Sequence, residues 1–230
     1  MYTSYTFAPP ARVSVAVKGS EDRFPVRRIF CVGRNYAEHA REMGGDPQRE
    51  PPFFFTKPAD ALTESGVAVP YPPGTADLHH EVELVVAIGR GGARIAEEHA
   101  LQHVFGYAVG NDLTRRDLQS AARKAGRPWD MAKGFDASAQ IGRISAVERS
   151  GHPGDVAIWL AVNGAERQRS QLGQMIWPVP GIIAALSELV ALAPGDLIYT
   201  GTPHGVGALS VGDEVSAGID GLDELTFRIT

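Results

Sequence analysis

Residues 78–88, LHHEVELVVAI, decide how this chain is read. Val82 and Leu84 to Ile88 have the apolar, β-branched character of a strand buried in a sheet. Two glutamates interrupt that character. A strand sends successive side chains to opposite faces, so Glu81 and Glu83 share one face, and Val82 and Leu84 share the other. Two ionised carboxylates so placed repel each other, and burial raises the cost. Arginine, a shared proton or a metal ion has to compensate.

A third acid lies at the end of the next apolar run. Asp112 follows FGYAVGN, residues 105–111. A carboxylate pair joined by a third, with water completing the set, suits a hard divalent cation such as Mg²⁺ or Mn²⁺. No CxxC or HExxH spacing points to zinc. Strand parity puts His79 on the Glu face, so spacing alone also admits it as a ligand. An exposed strand face with solvated charges, and a hydrogen-bonded structural histidine, fit the same pattern.

Outward from this stretch, strands are expected at 13–17, 29–32, 53–56, 105–112, 156–162, 197–200 and 224–229. Helical patterns cover 36–43, 92–104, 113–126 and 180–192, the last with Pro180 at its start. GGDPQREPP, residues 44–52, reads as a loop. No repeat or low-complexity linker divides the chain. The expectation is an N-terminal arm over 1–28 and a single β-rich domain over 29–230, with short helices and long functional loops.

The 230 residues suffice for one sizeable core. The net charge of -5 and the absence of a basic cluster argue against nucleic-acid or membrane-surface partners. The single cysteine, Cys31, sits in the apolar run RIFCVG and reads as a small buried hydrophobe in a reducing compartment. The opening residues lack the pattern of a secretory leader, and no run of about 18 apolar residues suggests a membrane span. A cytoplasmic location is expected.

Three further segments carry chemistry. His39 and Glu42 are three apart on a predicted helix, side by side, where a carboxylate orients an imidazole and raises its basicity. A surface salt-bridge set with Glu38 and Arg41 also explains them, and is the commoner case for such neighbours. Lys133, in PWDMAKGFD, could bind a carboxylate or hold an oxyanion, or be a solvated lysine. YTGTPHGVG, residues 199–207, lacks the lysine of a phosphate loop but could form an anion nest or simply a tight turn.

GRNYAEHAREM (33–43), KPADAL (57–62), LHHEVELVVAIG (78–89), GYAVGNDLTRRDLQ (106–119), PWDMAKGFD (128–136), VNG (162–164) and DLIYTGTPHGVG (196–207), in this order, resemble the fumarylacetoacetate hydrolase family. The likeness runs from about Ile29 to the C-terminus. It is closest to the short bacterial fumarylpyruvate and acylpyruvate hydrolases. The resemblance implies an α+β, β-rich fold, a mixed β-sandwich roll with short helices, and a homodimer. It implies metal ligands at Glu81, Glu83 and Asp112, with His79 structural or behind the ligands. His39, Glu42 and Lys133 match the family's catalytic residues. Arg116, Gln119 and Thr202 match positions that touch substrate in relatives.

The activity so implied is hydrolysis of a C–C bond in a 2,4-dioxo acid, giving pyruvate and a second acid. The alternative is decarboxylation of oxaloacetate, or isomerisation of a hydroxy-dienedioate, through the same enolate chemistry. A dicarboxylate substrate would need a cation for its far end, for which Arg34, Arg41 and Arg49 are candidates.

Overall fold

The computed structural model describes residues 4–37 and 51–230. The 78–88 stretch lies at the centre, but as two strands, Leu78–His80 and Val82–Ile88, parted at Glu81. The break has a local cause. The Glu81 N–H donates to Asn111 Oδ1 at 3.0 Å, and the Glu81 carbonyl accepts the Asp112 N–H at 2.9 Å. A side-chain amide thus replaces one rung of the ladder. Leu78–His80 turns away to pair with Thr114–Arg115 and Gly207–Leu209 in a small sheet of its own.

Val82–Ile88 is buried at every position. It lies between Asp196–Tyr199 and Val104–Asp112, antiparallel to both. Beyond Asp196–Tyr199 come Arg28–Gly33, in parallel, and Phe53–Lys57 at the edge. Beyond Val104–Asp112 come Ala139–Ile141 and Leu62–Glu64, and these last two run parallel. A second sheet runs Ala165–Gln171, Ala157–Val162, Glu214–Ile219, Leu225–Ile229 and Ala68–Val69. The alternation read from the sequence divides the core. Val82, Leu84, Val86 and Ile88 join Leu160, Val215 and Phe227 of the second sheet. Val85 and Ala87 join Ile29, Leu197 and Tyr199 on the other face. Burying such a side chain stabilises by about 1.5–3 kcal/mol. Cys31 belongs to this second cluster, and burial raises its thiol pKa well above the usual range, as fits an inert hydrophobe.

Close approach at the central strands depends on Gly110, which pairs with Glu83 across the ladder. A Cβ there would lie 2.4 Å from Val85 Cγ2 and 2.7 Å from the Tyr199 ring. Gly110→Ala is therefore expected to destabilise by about 1–3 kcal/mol. Thermal unfolding in the presence of chelator reads this directly; an unchanged Tm would mean that the sheet gives way without cost.

The helices differ in detail from the sequence expectation. The pattern at 113–126 becomes a helix over Arg116–Lys124, because Thr114–Arg115 is taken up by Leu78–His80. The pattern at 180–192 gives Val179–Leu189, with proline in its first turn. The pattern at 92–104 gives only a 3₁₀ run, Glu97–His103. Gly91 and Gly92 precede it, and Arg94 (φ 58° at Arg34, 51° here) takes a left-handed backbone that holds the start out of a helix. The helix expected over 36–43, and with it His39 and Glu42, falls largely outside the described residues. Among the described residues, no helix is long and apolar enough to cross a membrane.

Candidate active site

The strand break at Glu81 builds the site. Register across the ladder sets Val82 beside Asn111 and Glu83 beside Gly110, so Asp112 arrives opposite Glu81. Glu81, Glu83 and Asp112 are all buried, and one oxygen from each lies within 4.8 Å of the others. Among the described residues this is the group of acids able to share one ion.

Buried cations answer part of this negative charge. Lys133, at the end of the short helix Asp130–Lys133, places Nζ 2.8 Å from Glu81 Oε2 and 2.6 Å from Asp112 Oδ2. Burial draws its pKa down, but the carboxylates of Asp112 and Glu81 outweigh that and raise it, so it stays an ammonium. Lys57 Nζ lies 2.7 Å from Asp112 Oδ1 and also donates to the carbonyls of Leu113 and Lys133. Arg116 pairs with Glu81 Oε1.

Among the described residues, Glu83 has no such ion-pair partner. Its Oε2 accepts the Gly201 N–H at 2.7 Å. Burial pushes its pKa well above the usual carboxylate range, with Asp112 and Glu81 pushing the same way. Without a cation the folded protein therefore holds this carboxyl protonated to higher pH than the unfolded chain does. The stability this contributes is fully present below the ordinary glutamate pKa and is lost as pH rises through the raised value. Glu83→Gln, which mimics the protonated acid, is expected to raise the Tm of chelator-treated protein at neutral pH and leave it little changed near pH ~5. A Tm that falls at neutral pH would show that the Glu83 charge is welcome as it stands.

The donor set consists only of carboxylate oxygens, which fits a hard divalent cation. Two further observations fit it. Asp112 Oδ1, although close to Lys57, accepts no aligned hydrogen bond. The pocket lined by Glu81, Glu83, Asp112, Arg116, Gln119 and Thr202 leaves about 20 Å³, space for about one water-sized species.

Arg116, Gln119 and Thr202 reach the same pocket from different elements. Arg116 opens the helix Arg116–Lys124, and its guanidinium joins Glu81 to Gln119 one turn on. Gln119 Oε1 accepts from Arg116, which leaves the Gln119 amide to donate. Thr202 Oγ1 accepts from Gln168 Nε2 at 2.8 Å, which leaves its own hydroxyl proton to donate.

His79 departs from the strand-parity expectation, because the chain leaves the strand at Glu81. Its Nε2 meets Asp77 Oδ1 at 2.8 Å, and its Nδ1 accepts from Arg116 Nε at 3.4 Å. Burial first, and Arg116 next, lower its pKa, consistent with a neutral ring that supports Arg116. At the start of the 199–207 turn, the Gly201 N–H serves Glu83, and the Thr200 N–H and Oγ1 both donate to the Leu84 carbonyl, at 3.0 and 2.9 Å.

Two participants escaped the sequence reading. Lys57 closes the apolar run FFFT, a place where a lysine is either the polar end of an edge strand or buried with a partner. Gln168 lies between Arg167 and Arg169 on the otherwise exposed strand Ala165–Gln171, and no local pattern marks it. Buried, it accepts the Val82 N–H at 3.1 Å, contacts His80 Nδ1 at 3.0 Å and holds Thr202.

The family model for the fumarylacetoacetate hydrolase C-terminal region matches residues 28–230. The chain belongs to the fumarylacetoacetate hydrolase family. Its β-rich α+β architecture is that family's fold. A crystal structure of fumarylpyruvate hydrolase from Pseudomonas aeruginosa, in complex with Mn²⁺ and pyruvate, is 53% identical with a TM-score of 0.96, covering 99% of each chain. A putative fumarylpyruvate hydrolase from Burkholderia cenocepacia is 55% identical with a TM-score of 0.93, covering 100% of this chain and 96% of that one. The mitochondrial oxaloacetate tautomerase of Rattus norvegicus is 42% identical over 203 residues, covering 88% of this chain and 91% of its own.

Proposed function

We propose that this protein hydrolyses the C–C bond of a 2,4-dioxo acid to pyruvate and a carboxylic acid. The observation that carries the reading is the meeting of three buried carboxylates, Lys133 and the donors Arg116, Gln119 and Thr202 in one small pocket. That pocket opens beside a cavity of about 710 Å³, with which it shares Arg34, Phe55, Trp129 and Lys133. The likeness to a fumarylpyruvate hydrolase holding Mn²⁺ and pyruvate supports it.

In this reading Glu81, Glu83 and Asp112 hold Mg²⁺ or Mn²⁺. When bound, such a cation would supply Lewis-acid stabilisation of the negative charge that develops at the pyruvoyl end. Arg116, Gln119 and Thr202 orient that end with donated hydrogen bonds. His39, oriented by Glu42, takes a proton from water, whose hydroxide adds to the distal ketone carbon. The bond from that carbon to the methylene then breaks. Its electron pair leaves on the methylene as the enolate of pyruvate, and the imidazolium of His39 returns the proton there. The water is thus divided between the acid and pyruvate. Lys133, held charged by its carboxylates, favours the negative charge that develops beside it.

The relatives called oxaloacetate tautomerases favour a second reading, enolisation of oxaloacetate. Oxaloacetate is too small to need the adjoining cavity, which favours hydrolysis of a longer substrate. The homodimer expected from the resemblance and the cytoplasmic location expected from the sequence pattern remain part of this proposal; light scattering of the purified protein reads the former. A panel of acylpyruvates and oxaloacetate, assayed for pyruvate with Mg²⁺ or Mn²⁺, tests the activity. Mn²⁺-dependent pyruvate release from an acylpyruvate is expected; none from any 2,4-dioxo acid would reject the proposal.

A further inference from the structure

We infer that Gln168 is a positioning residue for this site: its buried amide fixes the Thr202 hydroxyl as a hydrogen-bond donor to the pyruvoyl end of the substrate. The inference rests on the dioxo-acid reading, in which Thr202 meets that end, and adds to it a residue that does not itself line the pocket.

Three observations carry it. The first is how the chain turns Gln168 inward. In an unbroken strand Glu166 and Gln168, two apart, would share a face. Here Leu160 pairs with Gln168 and Ala161 with Glu166, so Arg167 is an extra residue, a β-bulge. The bulge puts Gln168, 1% exposed, on the inner face with Leu160 and leaves Glu166 outside, paired with Arg169. An amide turned into a core costs stability unless its hydrogen bonds are made there.

The second is that this amide is used in full and can face only one way. Oε1 accepts the Val82 N–H at 3.1 Å, and Nε2 donates to the Pro203 carbonyl at 3.0 Å. A backbone N–H only donates and a carbonyl only accepts, so these two partners settle which end is oxygen and which is nitrogen. The remaining two contacts are then settled as well. His80 Nδ1, at 3.0 Å, donates to Oε1, and Thr202 Oγ1, at 2.8 Å, accepts from Nε2. Both protons and both lone pairs of the amide are engaged.

The third is the place of Thr202. It is buried, it lines the carboxylate pocket, and among the described residues its hydroxyl proton meets no acceptor. Turning that proton toward Gln168 would set it against the Nε2 protons, so it is left for an oxygen in the pocket. The turn that carries Thr202 is seated on the bulge itself. Gly205 is left-handed (φ +88°), and a Cβ there would overlap the Arg167 carbonyl, so the 199–207 turn and the strand Ala165–Gln171 meet backbone to backbone. Gln168 thus ties Thr202 to Val82, the residue between Glu81 and Glu83, and holds the donor in register with the acids.

The test reads pyruvate binding to Mn²⁺-loaded protein by calorimetric titration, with KM and kcat for acetylpyruvate beside it. Thr202→Val is expected to weaken pyruvate about tenfold, through loss of a hydrogen bond to a charged group. Gln168→Glu keeps the side-chain volume and Oε1 but offers Thr202 an oxygen, which takes up the hydroxyl proton. It is also expected to weaken pyruvate about tenfold, and to raise KM with kcat within about threefold of wild type, as for an interaction made equally in ground and transition states. Added to Thr202→Val, it is expected to change pyruvate affinity by less than about twofold, because the hydroxyl through which it acts is gone. A merely structural role would weaken pyruvate equally in both backgrounds, and that result overturns the inference. So does wild-type affinity in Thr202→Val or in folded Gln168→Glu. Gln168→Met, which removes the amide, carries the same comparison if Gln168→Glu does not fold. In each of these cases hydrolysis by wild type stands. Mn²⁺-loaded wild type that neither binds pyruvate nor releases it from acetylpyruvate overturns the hydrolase reading, and the inference with it.

Discussion

Asp112→Ala is expected to abolish tight Mn²⁺ binding and to lower kcat by about 10³-fold or more, the loss of several kcal/mol of charge stabilisation in the reaction. Asp112 is fully buried, and its two oxygens face different lysines, Oδ1 toward Lys57 and Oδ2 toward Lys133. Removing it takes one ligand from the proposed cation and leaves two buried ammonium groups short of a counter-charge. Breaking such a buried pair costs about 3–5 kcal/mol, so Tm is expected to fall as well. Glu81→Gln separates the two effects. It keeps the side-chain volume and one acceptor oxygen, enough for Arg116 or Lys133 but not both, so the fold is disturbed less than in Asp112→Ala while a charged ligand is lost. Calorimetric titration with Mn²⁺ and the pyruvate assay are run on both. Wild-type affinity in the folded Glu81→Gln protein would remove that residue from the ligand set, and unchanged turnover in Asp112→Ala would remove the cation from the reaction.

The carboxylate trio was legible because its geometry follows from strand parity and one ladder register. Glu81 and Glu83 are two apart, and Asp112 ends the neighbouring strand, so a pleated sheet brings them together whatever surrounds them. The helix ends were less legible, since tertiary pairing overrides local pattern: Thr114–Arg115 would continue a helix but is held by Leu78–His80. Parity misplaced His79 for a related reason. It assumes an unbroken strand, and the Asn111 side chain that breaks this one comes from 30 residues away. Lys57 and Gln168 were invisible for a different reason. Each is a polar residue turned inward, and only the partner it meets there, Asp112 or Thr202, explains it. The adjoining cavity depends on a turn at Gly126 and on rings from two separate segments, so no single stretch of sequence announces it.

His39→Ala is expected to lower kcat by about 10²–10⁴-fold while leaving Mn²⁺ affinity as it is in wild type. The argument is one of division of labour. Every charged group described around the acids is already engaged: Lys133 and Lys57 by carboxylates, Arg116 by Glu81 and Gln119. All three are thus occupied in holding the acids and the substrate-orienting side chains, and Glu83 is proposed as a ligand. His79 and His80 are held by Asp77 and Gln168. The proton of the attacking water therefore needs an acceptor from another segment, and the proposal assigns this to His39 with Glu42. Loss of that acceptor slows the chemical step without touching the ligands, so kcat falls and KM for the acylpyruvate stays near its wild-type value. Glu42→Gln should weaken the same step by a smaller factor, because it removes the group that orients the ring. A His39→Ala protein that turns over at the wild-type rate would return the role of base to a residue among those described, and His79 would then be the first to replace.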